Sequence, residues 1–402
     1  MNEFELIRRY FAAARCAQGG DGVVLGIGDD CALLALPAGE QLAVSTDTLV
    51  AGVHFPDPCD PFLLGQRSLA VAVSDLAAMG ATPIAFTLAL TLPTVTAEWL
   101  QAYARGLNSM AQDCGVRLVG GDTTRGPLSL TMTVFGRVPA GQALTRSGAQ
   151  VGDLLCVGGD LGNAAGALPL VLGQRTALAA VAEPLLAHYW SPQPQLALGQ
   201  ALRGKASSAL DISDGLLADC GHIAKASAVG LLIENQKLPL SEALVGFLGE
   251  NAARVAAVSG GDDYVLAFTL PEAHLSALLA EGWPVHFEMD PDFNYEPRMD
   301  ESIAHRAAAA GVTPAEYAYD LLMKDDGKGF IYFPILNYRD GNLNFLEDLQ
   351  HADDTVNSLS DGGAHCGTIC DAASPTFMLQ HWVRDRAGKR IALEHAVKRQ
   401  CR

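Results

Sequence analysis

Apolar residues in the first part of the chain form short runs whose spacing separates helices from extended segments. Residues 2–16 follow the helical period and place Phe4, Ile7, Tyr10 and Phe11 on one side. Strands are predicted over residues 84–92 and 128–138, and further helices over residues 64–79, 97–114, 162–172, 194–203, 215–227 and 272–281. Mixed strands with helices on one face are typical of α+β layers and differ from a Rossmann repeat.

The pattern changes twice along the chain. Gly148–Gly152 marks a turn, after which a second α/β block begins. Near residue 287 the composition changes, because residues 1–286 hold 15 aromatic residues and the remaining 116 residues hold 12. A long Gly/Ser linker is absent at this change. We therefore predict three segments, which span residues 1–138, 139–286 and 287–402.

The overall charge excludes two classes of partner. The chain has 402 residues, with 27 basic against 45 acidic side chains and a net charge of −18. Nucleic acids and anionic membranes need broad basic surfaces, so neither is an expected partner. The hydrophobic content of 49% and the charged content of 18% indicate a globular protein. The sequence has no uncharged apolar run long enough to span a membrane, and Glu3 and Glu5 argue against a signal peptide.

The cysteines indicate a reducing compartment. There are nine, an odd number, and none has Cys-x-x-Cys or Cys/His zinc spacing. Reduced thiols in the cytoplasm are therefore expected. Cys366 and Cys370 could share one helical face, but a single pair is weak evidence for a metal site.

Aspartates recur after the apolar runs. Five runs are interpreted as buried strand ends: Val23–Leu25, Leu42–Val44, Leu69–Val73, Val116–Val119 and Ser208–Leu210. The acids that close them are Asp30, Asp47, Asp75, Asp122, Asp211 and Asp214. Carboxylates gathered in this way repel one another unless a cation lies between them. Oxygen ligands suit Mg²⁺, which is commonly bound through carboxylates and substrate phosphates. The residues alone therefore predict a Mg²⁺-dependent site for a polyphosphate.

Glycines and hydroxyls accompany these acids. In Gly26–Asp30, glycine lets the backbone approach an anion and the two acids can hold cations, although an acidic β-turn would look the same. Ser45–Thr48 offers three hydroxyls and a carboxylate, which suit either Mg²⁺ or a helix cap. Gly120–Arg125 is a second Gly-Asp turn, with an arginine near enough for phosphate. The sequence has no Gly-x-x-x-x-Gly-Lys-Ser/Thr, so this is not a P-loop enzyme.

Other candidate residues have two open interpretations each. Asp75 lies among small apolar residues, where an acid is costly unless it is paired or metal-bound. Asp211–Leu216 opens a helix whose first amides favour anions, but Asp214 could serve there as an N-cap. Arg146 could clamp a phosphate or make a surface salt bridge. His54 could contact a substrate or be structural.

Seven strings of the first 264 residues together resemble thiamine-monophosphate kinase, of the superfamily that includes aminoimidazole ribotide synthetase and selenophosphate synthetase. They are LGIGDDCALL (25–34), STDTLVAGVHF (45–55), SDLAAMGA (74–81), GGDTTRGPLS (120–129), ALTRSGA (143–149), DISDGL (211–216) and SGGDDY (259–264). The resemblance runs from Phe4 to about His286. It implies a two-domain α+β fold in which ATP donates its γ-phosphoryl group to thiamine monophosphate, giving thiamine diphosphate. It also implies a homodimer built through the sheet of the first domain.

The resemblance implies roles for individual residues. Residues 1–138 would bind ATP and Mg²⁺ and form the dimer, and residues 139–286 would complete the kinase. ATP would be contacted by Gly121, Asp122, Arg146 and Ser213. Thiamine monophosphate would be contacted by His54 and Asp262. Magnesium would be ligated by Asp30, Ser45, Thr46, Asp47, Asp75, Asp122, Asp211 and Asp214. A general base is unnecessary, because the acceptor phosphate oxygen is already anionic.

Two departures from the family pattern affect these expectations. Asp262 stands where the family usually has glutamate, and the shorter side chain reaches less far. The chain also leaves the family pattern at His286, before the segment that completes the second domain and supplies an aromatic substrate contact. The second domain is therefore expected to be truncated.

The tail resembles a different family. From about Glu288 onward it is similar to the C-terminal part of N-acyl-D-amino-acid deacylases of the amidohydrolase superfamily. The strings are AYDLLMKDDGKGFIYFPILNY (318–338), LSDGGAHCGTICDAASPTF (359–377) and HWVRDR (381–386). In that family Asp361 would be a metal ligand, but none of the ten histidines here forms His-x-His. One carboxylate cannot build the Lewis-acid site that hydrolysis needs. We expect an incomplete TIM-barrel-like fragment with a vestigial ligand.

The leading hypothesis is therefore an ATP-dependent thiamine-monophosphate kinase carrying a foreign tail. The alternatives are an inactive or nucleotide-binding-only fusion protein, a metal-dependent N-acyl-D-amino-acid hydrolase, and a related activity on another phosphorylated metabolite. ATP binding without turnover would identify the first alternative. The missing His-x-His counts against the hydrolase.

Overall fold

The computed structural model describes residues 3–275, 287–289, 301–312, 314–322 and 330–332. The chain divides into two compact units, Met1–Leu275 and Ser276–Arg402. The strands of the first unit are β1 (Val23–Leu25), β2 (Leu33–Leu34), β3 (Glu40–Val50), β4 (Thr82–Leu92), β5 (Arg117–Arg125), β6 (Ser129–Pro139), β7 (Leu154–Val157), β8 (Ser208–Asp211) and β9 (Leu266–Leu270). Its α-helices are α1 (Glu3–Leu6), α2 (Pro61–Ala78), α3 (Ala97–Asp113), α4 (Asn163–Val171), α5 (Ala179–Trp190), α6 (Leu196–Leu202), α7 (Leu216–Ser227), α8 (Glu242–Leu248) and α9 (Glu250–Ser259).

The larger sheet has four strands in the order β3-β6-β4-β5. β6 is antiparallel to both β3 and β4, whereas β4 and β5 are parallel. Alternate residues of β6, such as Leu130, Met132 and Val134, are buried towards the helices. On the opposite face Leu42 and Val44 remain 46% and 54% exposed. The expected α+β arrangement, with helices on one face of the sheet, is confirmed for this part of the chain.

Helices α2 and α3 cover the buried face of the larger sheet, and their backbones approach each other closely. Asp60 caps α2 by accepting a hydrogen bond from the Phe62 amide at 2.8 Å, and Pro61 occupies the first turn. α2 then packs on α3 through glycines. A Cβ built on Gly106 would lie 1.9 Å from the Phe62 carbonyl oxygen, and one on Gly65 would lie 2.4 Å from the Tyr103 carbonyl oxygen. Only residues without a side chain fit at this crossing.

The second sheet has three strands in the order β7-β9-β8, all antiparallel. Its core includes Leu210, Ile212, Leu216 and Ile223, which join the end of β8 to the start of α7. β8 is buried along its whole length. The loop that follows Asp211 therefore begins directly at the core.

Comparison with the predicted elements gives both agreement and correction. The predicted helices over residues 64–79, 97–114, 162–172, 194–203 and 215–227 correspond to α2, α3, α4, α6 and α7, and the two predicted strands to β4 and β6. The helix predicted over residues 2–16 is confirmed in part: the chain is helical over residues 3–12, but α1 passes into a π-helical segment at Ile7–Ala12 and is followed by a 3-10 turn at Arg15–Ala17. α5, α8 and α9 were not predicted. The helix predicted over residues 272–281 is described only for residues 272–275.

The interpretation of the acids as strand-end residues is also wrong at three positions. Leu69–Val73 lies inside α2, whose apolar residues are buried on several sides, and a fully buried helix has the same pattern as a buried strand. Asp75 therefore projects from a helix. Asp47 and Asp122 lie within β3 and β5, not at their ends. Asp211, by contrast, does end β8.

The second unit is described only in part. The strands Phe287–Met289 and Phe330–Tyr332 pair antiparallel, and the helices Ile303–Ala310 and Pro314–Leu322 lie between them in the sequence. Asp361, and most of the tail predicted to be a TIM-barrel-like fragment, lie outside the described residues. Within the described part of the chain, no helix is long and apolar enough to cross a membrane.

The helix crossing generates a stability prediction. Gly106→Ala should lower the free energy of unfolding by about 1–3 kcal/mol, because α2 and α3 must separate to admit the methyl group. The control is Gly221→Ala in α7, where an added Cβ meets nothing within 4 Å. That variant should gain about 0.5–1 kcal/mol from helix propensity. Urea unfolding of both variants measures the difference, and equal stabilities would contradict the close crossing.

Candidate active site

Four side chains from three separate elements meet beside α2, the helix that packs against both β3 and β8. We call Ser45, Asp47, Asp75 and Asp211 the central acid cluster. Ser45 donates a short hydrogen bond to the Asp75 carboxylate from β3 to α2. Ser74, one residue earlier on α2, donates to Asp211 at 2.6 Å. Through these two hydrogen bonds, helix α2 connects Ser45 of the larger sheet with Asp211 of the second sheet.

The central acid cluster concentrates negative charge in a half-buried place. Burial and the neighbouring carboxylate of Asp75 raise the pKa of Asp47 to about 6, while His54 opposes this shift. Burial, followed by the charge of Asp75, raises the pKa of Asp211 to about 7. Each shift expresses the cost of ionising a carboxyl group beside another in low dielectric. Such a group of acids favours a cation in its midst.

A second group of predicted residues lines a cavity of about 860 Å³ at the β5 edge of the larger sheet. Asp29 and Asp30 reach it from the loop after β1, and Gly121 and Asp122 from β5. Gly121 has a φ of 148°, and a Cβ there would lie 1.9 Å from the Leu88 carbonyl oxygen. The chain therefore requires glycine at this point, because the backbone of β4 occupies the space that a side chain would take.

The two groups of acids are separated by the width of the sheet. In the strand register Asp47 pairs with Met132, Met132 with Leu88, and Leu88 with Gly121. Three inter-strand steps of about 4.8 Å place Asp47 and Gly121 roughly 14 Å apart. Across the described residues, no three His, Cys, Asp or Glu side chains are arranged to enclose one metal ion.

The Thr46 side chain lies on the opposite face of β3 from those of Ser45 and Asp47. Strand alternation turns Ser45 and Asp47 towards α2 and Thr46 towards the exposed face. There the Thr46 hydroxyl lies 3.0 Å from that of Thr133. The Thr46 side chain therefore cannot share an ion with the central acid cluster. Strand alternation could have shown this from the sequence if the strand had been assigned through residue 47.

The loop after β8 differs from expectation in its electrostatics. Gly215 is the N-cap of α7, so the alternative role of Asp214 as the cap is wrong. One carboxylate oxygen of Asp219 accepts hydrogen bonds from the amides of Ser213, Asp214 and Gly215 at 3.0, 3.0 and 3.1 Å. The anion site was expected at the first amides of the helix, which begin at Leu216, whereas Asp219 accepts from the cap residue and the two loop residues before it. The carboxylate of Asp219 makes this loop negative, and the side chains of Ser213 and Asp214 are exposed to solvent.

The loop that contains Asp262 is held against the loop after β8 by backbone hydrogen bonds. The amides of Asp262 and Tyr264 donate to the carbonyl oxygens of Ser213 and Ile212, each at 2.8 Å. Asp262 and Tyr264 take positive φ values of 69° and 52°, which are unusual for residues other than glycine. The backbone hydrogen bonds hold this strained arrangement and fix the direction of the Asp262 side chain.

His54 and Arg146 are both exposed near these elements. The Val50 amide donates to His54 Nδ1 at 3.0 Å, which leaves Nε2 to carry the proton of the neutral ring and to face solvent. Arg146 lies in the loop between β6 and β7, where Ser227 Oγ donates to its carbonyl oxygen at 3.2 Å. In the described part of the chain Arg146 makes no ion pair, so the surface salt bridge considered above is not observed.

The structure adds residues that sequence reasoning missed. Asp219 organises the loop after β8, and the buried carboxylate of Asp263 accepts the Gly162 amide at 2.6 Å. Arg67, in α2, pairs with Asp262 at 2.8 Å. One local signal was available, because Arg67 is a charged residue inside an otherwise apolar helical run.

Comparisons with known proteins identify relatives of this chain. Residues 28–138 match the family "AIR synthase related protein, N-terminal domain". The chain is 49% identical over 277 residues to the thiamine-monophosphate kinase of Escherichia coli (strain K12), which covers 69% of this chain and 85% of that protein. The thiamine-monophosphate kinase structure from Stenotrophomonas maltophilia K279a is 47% identical, with a TM-score of 0.64, and covers 70% of this chain and 90% of that one. The structure of AaThiL complexed with AMPPCP and TMP is 28% identical, with a TM-score of 0.56, and covers 60% and 78%.

The loop after β8 gives a prediction that needs no ligand. Asp219→Ala removes the shared acceptor of three amides, so the free energy of unfolding should fall by about 1–3 kcal/mol. Amide exchange at residues 213–215 should accelerate about tenfold or more, the equivalent of ~1.4 kcal/mol of local stability. Hydrogen exchange read by mass spectrometry measures this. Asp153→Ala is the control, since its carboxylate accepts only the Gln150 amide at 2.9 Å. Unchanged exchange in Asp219→Ala would contradict the assignment.

Proposed function

The chain belongs to the thiamine-monophosphate kinase family, and on that premise we propose that it transfers the γ-phosphoryl group of ATP to thiamine monophosphate, forming thiamine diphosphate. One observation carries the proposal above the others. Asp47, Asp75 and Asp211, from three elements distant in sequence, come together with two of their pKa values raised. A fold that keeps such a charge conflict is built for a cation and the phosphates that accompany it.

Magnesium fits this donor set. The carboxylates of Asp47, Asp75 and Asp211 and the Ser45 hydroxyl are hard oxygen donors of the kind that Mg²⁺ prefers. Mg²⁺ usually takes one or two protein carboxylates and completes its shell with water and substrate phosphates, so a three-acid cage is not required. We assign the central acid cluster to one magnesium position, and Asp30 and Asp122 at the cavity to another. We propose Asp214, whose side chain is exposed, as a further magnesium ligand.

The nucleotide would be held by the cavity at the β5 edge and by the loops that face it. Gly121 and Asp122 line this cavity side by side, and we assign the phosphates to the space next to them. Arg146, exposed and without an ion pair among the described residues, would supply a bidentate contact to phosphate. Ser213 presents its hydroxyl beside the amides that Asp219 has already satisfied.

Catalysis in this arrangement depends on position and charge. His54 Nε2 would donate to the phosphate of thiamine monophosphate, and the Asp262 carboxylate would accept from the same substrate. Bound Mg²⁺ supplies the positive charge that neutralises the transferring phosphoryl oxygens. The acceptor oxygen is already anionic, so no side chain has to remove a proton from it. The residues therefore orient the two phosphates in line and limit their repulsion.

Exposed apolar side chains on the larger sheet support a homodimer. Leu42 and Val44 are about half exposed on the face opposite α2 and α3, beside the threonine pairs Thr46–Thr133 and Thr48–Thr131. A second copy of the same face would bury these residues without introducing unpaired charge. We propose this face as the interface and residues 1–138 as the dimerisation domain.

The tail has a separate proposed origin. The strings quoted above support descent of residues 288–402 from the C-terminal part of an amidohydrolase barrel, with Asp361 as a vestigial metal ligand. Without His-x-His the tail would contribute no hydrolysis. Residues 139–286 would then be the kinase's second domain without its final segment. The cysteines of the first unit are free, and we propose a cytoplasmic location, where thiols stay reduced.

The proposed function is tested on the full-length protein with ATP, Mg²⁺ and thiamine monophosphate, scored by thiamine diphosphate formed. Asp47→Asn and Asp122→Asn should each lower turnover by ~100-fold or more, because each removes a charge that holds a metal ion. Asp113→Asn, at the exposed C-terminal end of α3, should leave turnover unchanged. Unchanged turnover in both site variants would contradict the site. An inactive wild-type protein that still binds ATP would identify the nucleotide-binding-only alternative.

The proposed interface is tested by Val44→Glu. Its register partner is Phe135, so the new carboxylate would enter the centre of the paired faces and separate the dimer into monomers. Sedimentation equilibrium measures the mass. Val95→Glu is the control, because Val95 is 48% exposed in the segment before α3. A wild-type monomer, or a dimer unaffected by Val44→Glu, would contradict this interface.

A further inference from the structure

Arg67 is a charged side chain in an unusual place. It lies in the middle of α2 and is 1% exposed. One terminal nitrogen donates to the Tyr189 carbonyl oxygen at 2.6 Å, and the guanidinium carbon lies 4.1 Å from the centroid of the Tyr189 ring. The other terminal nitrogen contacts Asp262 Oδ1 at 2.8 Å. Nε is buried and has no hydrogen-bond partner.

Packing alone does not account for this residue. A buried guanidinium is costly unless an opposite charge and hydrogen bonds compensate it, and Nε remains uncompensated here. Within the described residues Asp262 is its ion-pair partner. An apolar side chain of similar volume would fill the same space without the desolvation cost. The observed arrangement therefore has its main effect on Asp262.

The two carboxylate oxygens of Asp262 differ: Oδ1 accepts hydrogen bonds from protein groups, whereas Oδ2 is available to a ligand. Arg67 and the Tyr264 hydroxyl both donate to Oδ1, at 2.8 and 3.1 Å. In the described part of the structure Oδ2 has no hydrogen-bond donor, and the side chain is 39% exposed. The backbone of Asp262 is fixed as well, by its amide bond to Ser213 and its positive φ. One carboxylate oxygen is thus presented outward in a set direction.

We propose that Arg67 is a positioning residue, which fixes Asp262 so that Oδ2 accepts a hydrogen bond from an N–H donor of the thiamine monophosphate molecule. The ion pair also keeps this carboxylate from joining the metal ligands nearby, because its charge is already compensated. This inference rests on the proposed function, since Asp262 is assigned there to the substrate. It adds that a buried cation on α2 sets substrate affinity without touching substrate.

The chain offers a control for the ring and carbonyl contacts. Arg175 lies 4.0 Å from the centroid of the Phe247 ring and donates to the Phe247 carbonyl oxygen at 3.1 Å. It thus has these two contacts of Arg67 at an exposed position, but no carboxylate partner among the described residues. Arg175→Lys therefore reports what loss of stacking and carbonyl bonding does by itself.

The experiment uses full-length protein and compares Arg67→Lys, Arg67→Met, Asp262→Asn, the double variant Arg67→Met/Asp262→Asn, and Arg175→Lys. Arg67→Lys keeps the charge but cannot make both terminal-nitrogen contacts, so the KM for thiamine monophosphate should rise about tenfold. The KM for ATP should change less than about twofold. Arg67→Met in the Asp262→Asn background should raise the KM no further than Asp262→Asn alone, because the residues act as one unit. Arg175→Lys should leave both constants unchanged.

Calorimetric titration with thiamine monophosphate in the absence of ATP provides a second measurement. If the wild-type protein binds thiamine monophosphate without turning it over, the kinase proposal fails, and the affinities of the same variants still decide the role of Arg67. Equal losses for ATP and thiamine monophosphate, additive effects of the two substitutions, or the same loss in Arg175→Lys would each overturn the proposal. So would wild-type protein that does not bind thiamine monophosphate. Circular dichroism and thermal melting identify any variant that has unfolded, and Arg67→Lys is the variant that keeps the buried charge.

Discussion

Repulsion among carboxylates is the constraint on which the rest of this structure depends. Asp47, Asp75 and Asp211 are brought together in a half-buried place, where ionising one raises the cost of ionising the next. Serine hydroxyls offset part of this cost through the bonds from Ser45 to Asp75 and from Ser74 to Asp211. A protein under no functional demand would place such acids at the surface. The scaffold must therefore be rigid enough to keep them in place until a cation compensates them.

Helix α2 supplies much of that rigidity. Its glycine lets α3 approach closely, and the pair fixes α2 against the larger sheet. Along α2, Arg67 and Ser74 are seven residues apart, which places them on the same face about two turns, or ~10 Å, from each other. One face of one helix therefore carries both the cation that directs Asp262 and the hydroxyl that supports Asp211. Small shifts of α2 would therefore disturb both the proposed metal ligands and the proposed substrate contact.

The sequence predicted local structure well and long-range pairing poorly, for a physical reason. Apolar spacing located α2, α3, β4 and β6, because each period reflects burial against one neighbouring layer. Leu69–Val73 was interpreted both as part of the predicted helix and as a strand end, because a fully buried run has the same apolar pattern in either structure. The acids of the motifs were found, but Arg67, 195 positions from Asp262, was not. Nothing within a local window records which distant residue a buried charge will meet.

Asp219 shows why the electrostatic sign of a loop cannot be taken from secondary structure alone. The start of a helix presents unsatisfied amides, which by themselves attract anions. Here the Asp219 carboxylate, from the first turn of α7, satisfies the amide of the cap residue Gly215 and the amides of the two loop residues before it. A negative charge therefore already lies against this loop, and its exposed side chains, those of Ser213 and Asp214, are a hydroxyl and a second acid. Such a loop suits a cation better than a further anion, in keeping with the proposed role of Asp214 as a magnesium ligand. The sign of the charge that the loop attracts thus depends on an acid within the helix and not on the helix start alone.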